Sequence, residues 1–187
     1  MKQILPLLCL LALPAGATAQ GDVLFANFGH LPHTLFTTNH LGNSGLMSGT
    51  DAFRIGLYIA PDGTTTESLF TLVAVATNNP LVPGRFNGGI VDVHSPGQSI
   101  QYQIKAWSLF AGPTYEDAVA SGIGIAGKSP IARVFPGFSA APPANLFGLE
   151  PGQLTSGIEL VPTIPEPSTY ALAALGALLM FCCRRRR

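Results

Sequence analysis

The stretch between the two ends of this sequence predicts a mainly β fold, a small antiparallel β-sandwich with one short helix. Three observations predict it. Apolar residues alternate at period two in several short runs, which puts every second side chain on one face of a strand. Only 11% of the 187 residues are charged while 47% are hydrophobic, enough apolar surface for a core rather than a disordered chain. Gly (21) and Pro (16) are frequent but follow no G-X-Y period, which disfavours a helical bundle and excludes collagen.

The elements follow in order. Asp22 to Phe28 reads as a first strand. Phe53, Ile55, Leu57 and Ile59 alternate with Arg54, Gly56, Tyr58 and Ala60 in a half-buried strand, and Pro61-Asp62-Gly63 turns the chain after it. Leu69 to Ala76 and Gly89 to His94 are further strands, with a turn at Ser95-Pro96-Gly97. Ile100, Tyr102, Ile104 and Ala106 then alternate with Gln101, Gln103 and Lys105. Trp107 shares the parity of that polar set, which places it on the solvent face or beneath the element that follows. Thr114 caps a helix, Glu116 and Asp117 occupy its first turn and Gly122 stops it, so a small helix is expected over a sheet edge. Ile131 to Phe135 and Thr155 to Val161 complete seven strands, separated by an irregular loop over Phe138 to Leu154. Seven short strands with turns between them make a sandwich over residues 20–162.

The two ends have a different composition. Met1 to Ala19 carries Lys2, an apolar run from Ile4 to Leu13, and Ala17-Thr18-Ala19, the small-residue pattern a signal peptidase cuts after. This is a cleaved secretory signal, residues 1–19. Cys9 follows Leu8, where lipoprotein processing needs a small residue, and belongs to the apolar core of the leader. Thr169 to Cys183 is free of charge and runs into Arg184, Arg185, Arg186 and Arg187. As a helix it would rise about 22 Å, so the expected transmembrane helix is short and needs thinning of the bilayer or snorkelling arginines. The positive-inside rule keeps those arginines cytoplasmic and the middle of the chain outside, so both ends predict one topology.

The formal net charge of zero hides an asymmetry. Between Gln20 and Glu166 lie five basic residues (Arg54, Arg85, Lys105, Lys128, Arg133) and all ten acids, a net charge of −5. Nucleic-acid binding needs concentrated Lys and Arg and is not expected. Cys9, Cys182 and Cys183 all fall in the ends, so the middle has no internal disulfide and no thiolate metal site.

Ile164-Pro165-Glu166-Pro167-Ser168-Thr169, an apolar helix and a basic C-terminus over residues 163–187 resemble the PEP-CTERM sorting signal of Gram-negative, exopolysaccharide-producing bacteria. The resemblance implies that Pro165, Glu166 and Pro167 are recognition residues for an exosortase, a membrane enzyme with sortase-like transpeptidase logic. It further implies a transient stay at the inner membrane, then transfer to the cell surface or an extracellular polysaccharide matrix. Ile164 stands where valine is usual, and Cys182-Cys183 where plain apolar or small residues are. The two prolines favour an extended backbone poor in hydrogen bonds, which suits a processing cleft. Thr163 to Pro167 reads as a short stalk.

Other chemistry is weighed residue by residue. Gly122-Ile-Gly-Ile-Ala-Gly127-Lys128-Ser129 satisfies both the dinucleotide and the phosphate-loop patterns, but those need a strand before and a helix after. Here a helix precedes and a β-like run follows, so no nucleotide is expected and the glycines read as a flexible connector. His30, His33 and His40 lie close in sequence on a segment holding Pro32 and several Gly or Asn, and His94 is apart, so solvated loop histidines are expected rather than a metal site. There is no G-x-S-x-G, and Glu116 and Asp117 point about 100° apart on a helix, which suits capping rather than acid–base work. Asp62 to Glu67 lacks the alternating acids of a calcium loop. Tyr58, Tyr102, Trp107, Phe110 and Tyr115 form either a core or an aromatic platform for sugar rings. Thr64-Thr65-Thr66 is too short for the flat array that ice recognition needs. The expectation is a non-enzymatic exported protein without cofactor or metal, with a glycan-binding or adhesion module as the alternative.

Overall fold

Two nine-residue strands paired along their whole length set the frame. β4 (Phe53–Pro61) and β7 (Ile100–Ser108) run antiparallel in register from Phe53↔Ser108 to Pro61↔Ile100. The computed structural model describes residues 21–28, 34–40, 43–49, 52–95, 97–137 and 141–163. The other strands are β1 (Asp22–Ala26), β2 (Thr37–His40), β3 (Asn43–Leu46), β5 (Thr71–Thr77), β6 (Asn87–Asp92), β8 (Ile125–Lys128), β9 (Ala132–Val134), β10 (Ala144–Asn145) and β11 (Glu159–Pro162). The α-helix among the described residues is α1 (Tyr115–Ser121). The larger sheet has the order β3-β2-β11-β8-β7-β4-β5, with β9 also on β7; the smaller is β10-β1-β6.

The inner faces of the two sheets share one core, as in a sandwich. Val23, Phe25, Phe86 and Val93 from the smaller sheet and its flanks meet Ile55, Leu57, Tyr102 and Ile104 from the larger. Phe86 is its aromatic hub, with ring centroids 5.0 Å from Phe25, 5.3 Å from Phe36 and 6.0 Å from Phe147. Asn27, fully buried, ties three segments into it. Its amide donates to the Thr34 carbonyl at 2.9 Å and the Gly84 carbonyl at 2.8 Å, and its oxygen accepts from the Phe86 N–H at 2.8 Å.

The central strands are covered on both faces rather than half-buried. The outer face of β7 carries Gln103, Lys105 and Trp107, all buried. Over it lie α1 and the 3₁₀ turn Leu109–Ala111, which enclose Trp107 with Ala111, Ala118 and Ala126. Gly56 on β4 leaves room for the Trp107 ring, and the indole N–H donates to the Gly112 carbonyl at 3.0 Å. The helix thus sits on the face over β7 and β8, not over an edge. Its caps are those expected: the Thr114 hydroxyl accepts from the Asp117 N–H, and Gly122 adopts φ 66°, the left-handed conformation glycine allows.

Four strands are additional to the seven expected, and the sheets are not purely antiparallel, because β1–β10 and β2–β11 pair in parallel. The parallel pairs arise where the late segment Ala144 to Pro162 returns alongside β1 and β2. Within the expected loop Phe138 to Leu154, Leu146, Phe147 and Leu154 are buried, and the Tyr102 hydroxyl donates to the Leu146 carbonyl at 2.6 Å. No helix among the described residues is long and apolar enough to cross a membrane; the expected transmembrane helix at Thr169 to Cys183 lies outside them.

Candidate functional site

The end from which the C-terminal tail departs is built by β8 and β11. These pair antiparallel at Val161↔Ala126 and Pro162↔Ile125, and the ladder continues one residue further as a side-chain clamp. The Thr163 N–H donates to the Gly124 carbonyl at 2.9 Å, its hydroxyl donates to the same carbonyl at 3.0 Å, and that hydroxyl faces the Gly124 N–H at 3.3 Å. Thr163 is therefore tied to the domain, and the rest of the expected stalk, Ile164 to Pro167, lies outside the described residues. Ala17 and Ala19, the motif Pro165, Glu166 and Pro167, and Arg184, Arg185, Arg186 and Arg187 lie outside the described residues.

A second feature is a cleft of about 370 Å³ on the outer face, lined by Glu67, Ser68, Lys105, Tyr115, Glu116 and Val119 among others. Lys105 lies beneath it, with Nζ 4.1 Å from the Tyr58 ring centroid and 5.1 Å from that of Tyr115. Its ammonium donates to Glu116 Oε1 at 2.7 Å, and the Tyr58 hydroxyl donates to Glu116 Oε2 at 3.0 Å. Burial alone would raise the Glu116 pKa, but the hydrogen bonds from Lys105 and Tyr58, with the Lys105 charge, leave it below the usual carboxylate range. Glu67 is lowered chiefly by Lys128, which reaches both its oxygens at 2.7 and 2.6 Å. Burial raises Tyr58 and Tyr115, and the neighbouring carboxylates push the same way. The carboxylates here are matched by cations, an arrangement that stabilises charge rather than poising a proton for transfer.

A larger open groove, about 690 Å³, lies at the opposite end of the sheet beside Asp62, Leu69, Val73, His94 and Phe135. Asp62 closes the Pro61-Asp62-Gly63 turn by accepting from the Gly63 N–H, and accepts from Ser99 and Arg133, each at 2.7 Å. The Ser99 and Arg133 hydrogen bonds hold its pKa low. The Asp62 and Glu67 carboxylates are thus committed to Arg133 and Lys128.

The glycine-rich segment is a helix cap and a strand. Gly122 ends α1, Ile125 to Lys128 form β8, and Gly127 passes so close to β11 that a Cβ would overlap the Glu159 carbonyl oxygen. It is not a flexible connector. Ser129 bridges the gap between β8 and β9: its hydroxyl accepts from the Ile104 N–H at 3.0 Å, and its own N–H donates to the Ile104 carbonyl at 2.8 Å. Ser129 before Pro130 carries no sequence motif that announces this bridge.

Among the histidines, His94 is exposed, has φ 49° and sits 3.0 Å from Asp92 through Nδ1; His40 ends β2 rather than lying in a loop; His30 and His33 fall outside the described residues. The aromatic platform is not formed. Tyr58, Tyr102 and Trp107 are core residues, Tyr115 is half-buried and Phe110 is exposed on the 3₁₀ turn. Thr64 to Thr66 lie in the irregular connection between β4 and the 3₁₀ turn Glu67–Leu69 rather than on a sheet face.

Residues 163–187 match the family model of the PEP-CTERM protein-sorting motif. The chain therefore carries that sorting signal, which implies export and processing by an exosortase. No curated protein and no solved structure matches the chain.

Proposed function

We propose that this carrier of the PEP-CTERM signal is a non-enzymatic β-sandwich protein of the cell surface or extracellular polysaccharide matrix, held at the inner membrane by one C-terminal pass until an exosortase removes its tail. The observation that carries the reading is the position of the signal: residues 163–187 begin where the last strand ends, at Pro162. An independently packed domain followed directly by a sorting signal is the architecture of a cargo. The absence of a catalytic role is supported by the pairing of Glu116 with Lys105, Glu67 with Lys128 and Asp62 with Arg133. Loss of the aromatic platform to the core weighs against sugar stacking as the domain's task.

The test is expression with an internal tag in an exosortase-bearing host, with mass spectrometry of the C-terminus in membrane and matrix fractions. Tail loss near Pro165 to Pro167 in the matrix fraction is expected, and Pro165→Ala with Glu166→Ala should trap full-length protein in the membrane. Unchanged processing of that double variant refutes the sorting assignment; an intact wild-type tail makes the segment a permanent anchor.

A further inference from the structure

We propose that the end of the sandwich formed by the Leu109–Ala111 turn, Gly122 to Gly124 and Thr163 docks on the lipid surface while the tail is in the membrane. The inference rests on the tail being membrane-inserted, as proposed above.

Thr163 is clamped to Gly124, and the expected membrane helix begins at Thr169. Six residues span at most about 20 Å when fully extended. The domain therefore cannot stand off from the bilayer on a long tether, and the end carrying Thr163 is the one brought to it.

Ser108 to Pro113, Ser121 to Gly127 and Leu160 to Thr163 contain no charged residue. Phe110 is 72% exposed and Ile123 65%, with Val161 also exposed. The segments touch: a Cβ on Gly124 would lie 2.7 Å from the Ala111 Cβ, so Ile123 and Phe110 flank one contact. Exposed Asp117 borders the patch at Gly112, and the aromatic and aliphatic side chains of the three segments suit the headgroup boundary.

With five basic residues against ten acids outside the two basic ends, most faces of the domain are repelled by anionic headgroups. An end whose three segments carry no charge, with Asp117 at its margin, approaches with little opposition. Arg54 lies beside it, donating to the Pro113 carbonyl at 3.4 Å, and adds attraction. The apolar residues Leu69 and Phe135 at the opposite groove are instead bordered by Asp62 and His94, and no tail leaves there.

The experiment uses the chain with its tail, in nanodiscs of phosphatidylethanolamine and phosphatidylglycerol with dibrominated acyl chains. Tryptophan reporters are Phe110→Trp at the docking end and Leu69→Trp at the other, roughly 27 Å away along β4; buried Trp107 gives both the same background. Phe110→Trp should be quenched at least twofold more than Leu69→Trp. Equal quenching in disc-bound protein overturns the docking while leaving the anchored tail standing. Failure to co-elute with the discs overturns the anchored tail and the docking with it. If Phe110→Asp with Ile123→Asp blocks tail removal in the exosortase host while the two reporters quench equally, the surface belongs to the enzyme and lipid docking is refuted.

Discussion

Lys105 Nζ lies 2.7 Å from Glu116 Oε1 with the lysine side chain 5% and the glutamate 57% exposed, so one partner is buried and the other reaches solvent. The burden of the pair is therefore asymmetric. Glu116→Gln leaves a buried ammonium with a neutral acceptor and should cost about 1–2 kcal/mol, discounted from a fully buried pair because water reaches the carboxylate. Lys105→Met removes the charge and keeps an unbranched stem on the Tyr58 and Tyr115 rings, and should cost less. Urea unfolding of the domain over residues 20–163 measures both. A larger loss for Lys105→Met would show that the cation–ring contacts, not the ion pair, hold α1 to the sheet.

Asn27 should be among the least replaceable polar residues. Asn27→Leu is close in volume but strands the Phe86 N–H and two carbonyls in the core. A loss of about 2–4 kcal/mol is expected by the same unfolding assay. A change under about 1 kcal/mol would mean that water accepts from the Phe86 N–H and that water or the Arg85 guanidinium, which already donates to the Asn27 carbonyl, reaches the two carbonyls.

The acid limb of stability follows from Asp62, Glu67 and Glu116, all held below their ordinary values. Between those lowered values and the ordinary ones near 4, the unfolded chain binds more protons than the native one, so stability rises with pH. It should be level above about pH 5 and fall progressively below about pH 4. Denaturation midpoints across that range check the sign. The fall should be shallower in about 1 M salt, because these pairs reach solvent and are screened.

At high pH the sign reverses. Burial raises Tyr58, Tyr102 and Tyr115, so above the ordinary tyrosine value near 10 the unfolded chain releases protons that the native one keeps. Stability contributed below that value is lost as pH rises past it. At about pH 11 the folded domain should show less tyrosinate absorbance than the unfolded chain, the remainder appearing on unfolding. A titration centred near pH 10 in folded protein would contradict the packing of Tyr58 and Tyr102.

The strands that alternate cleanly, β4 and β7, and the helix with its Thr114 and Gly122 caps were legible because each is specified within a few residues. β2, β3 and β10 were not, because Thr37 to His40 and Asn43 to Leu46 lack alternation and Ala144-Asn145 is held only by pairing to β1. Trp107 was ambiguous for a related reason: its parity is local, but the helix that covers it is a tertiary fact. The sorting signal was readable through the resemblance carried by Pro165-Glu166-Pro167, the apolar run and the arginine tail, whereas the Thr163 clamp depends on Gly124, distant in sequence and without a motif.

Gly127 gives the sharpest test of the β8–β11 seam. Replacing glycine by alanine in a strand ordinarily helps, since it restricts the unfolded chain, by about 0.4–1 kcal/mol. Gly45, on β3 with nothing near an added Cβ, should behave that way as Gly45→Ala. At Gly127 the same change drives a methyl group into the Glu159 carbonyl and the Ile158 side chain, so β11 must shift. Because β11 pairs with β8 and β2 through only two residue pairs each, there is little ladder to absorb the movement. Gly127→Ala should lose about 2–4 kcal/mol by urea unfolding. Hydrogen exchange should show Val161 to Thr163 opening first, since the Thr163 clamp hangs on the same strand. A neutral result at Gly127 would mean that β11 already slides freely past β8, and the clamp on Thr163 would then hold nothing in place.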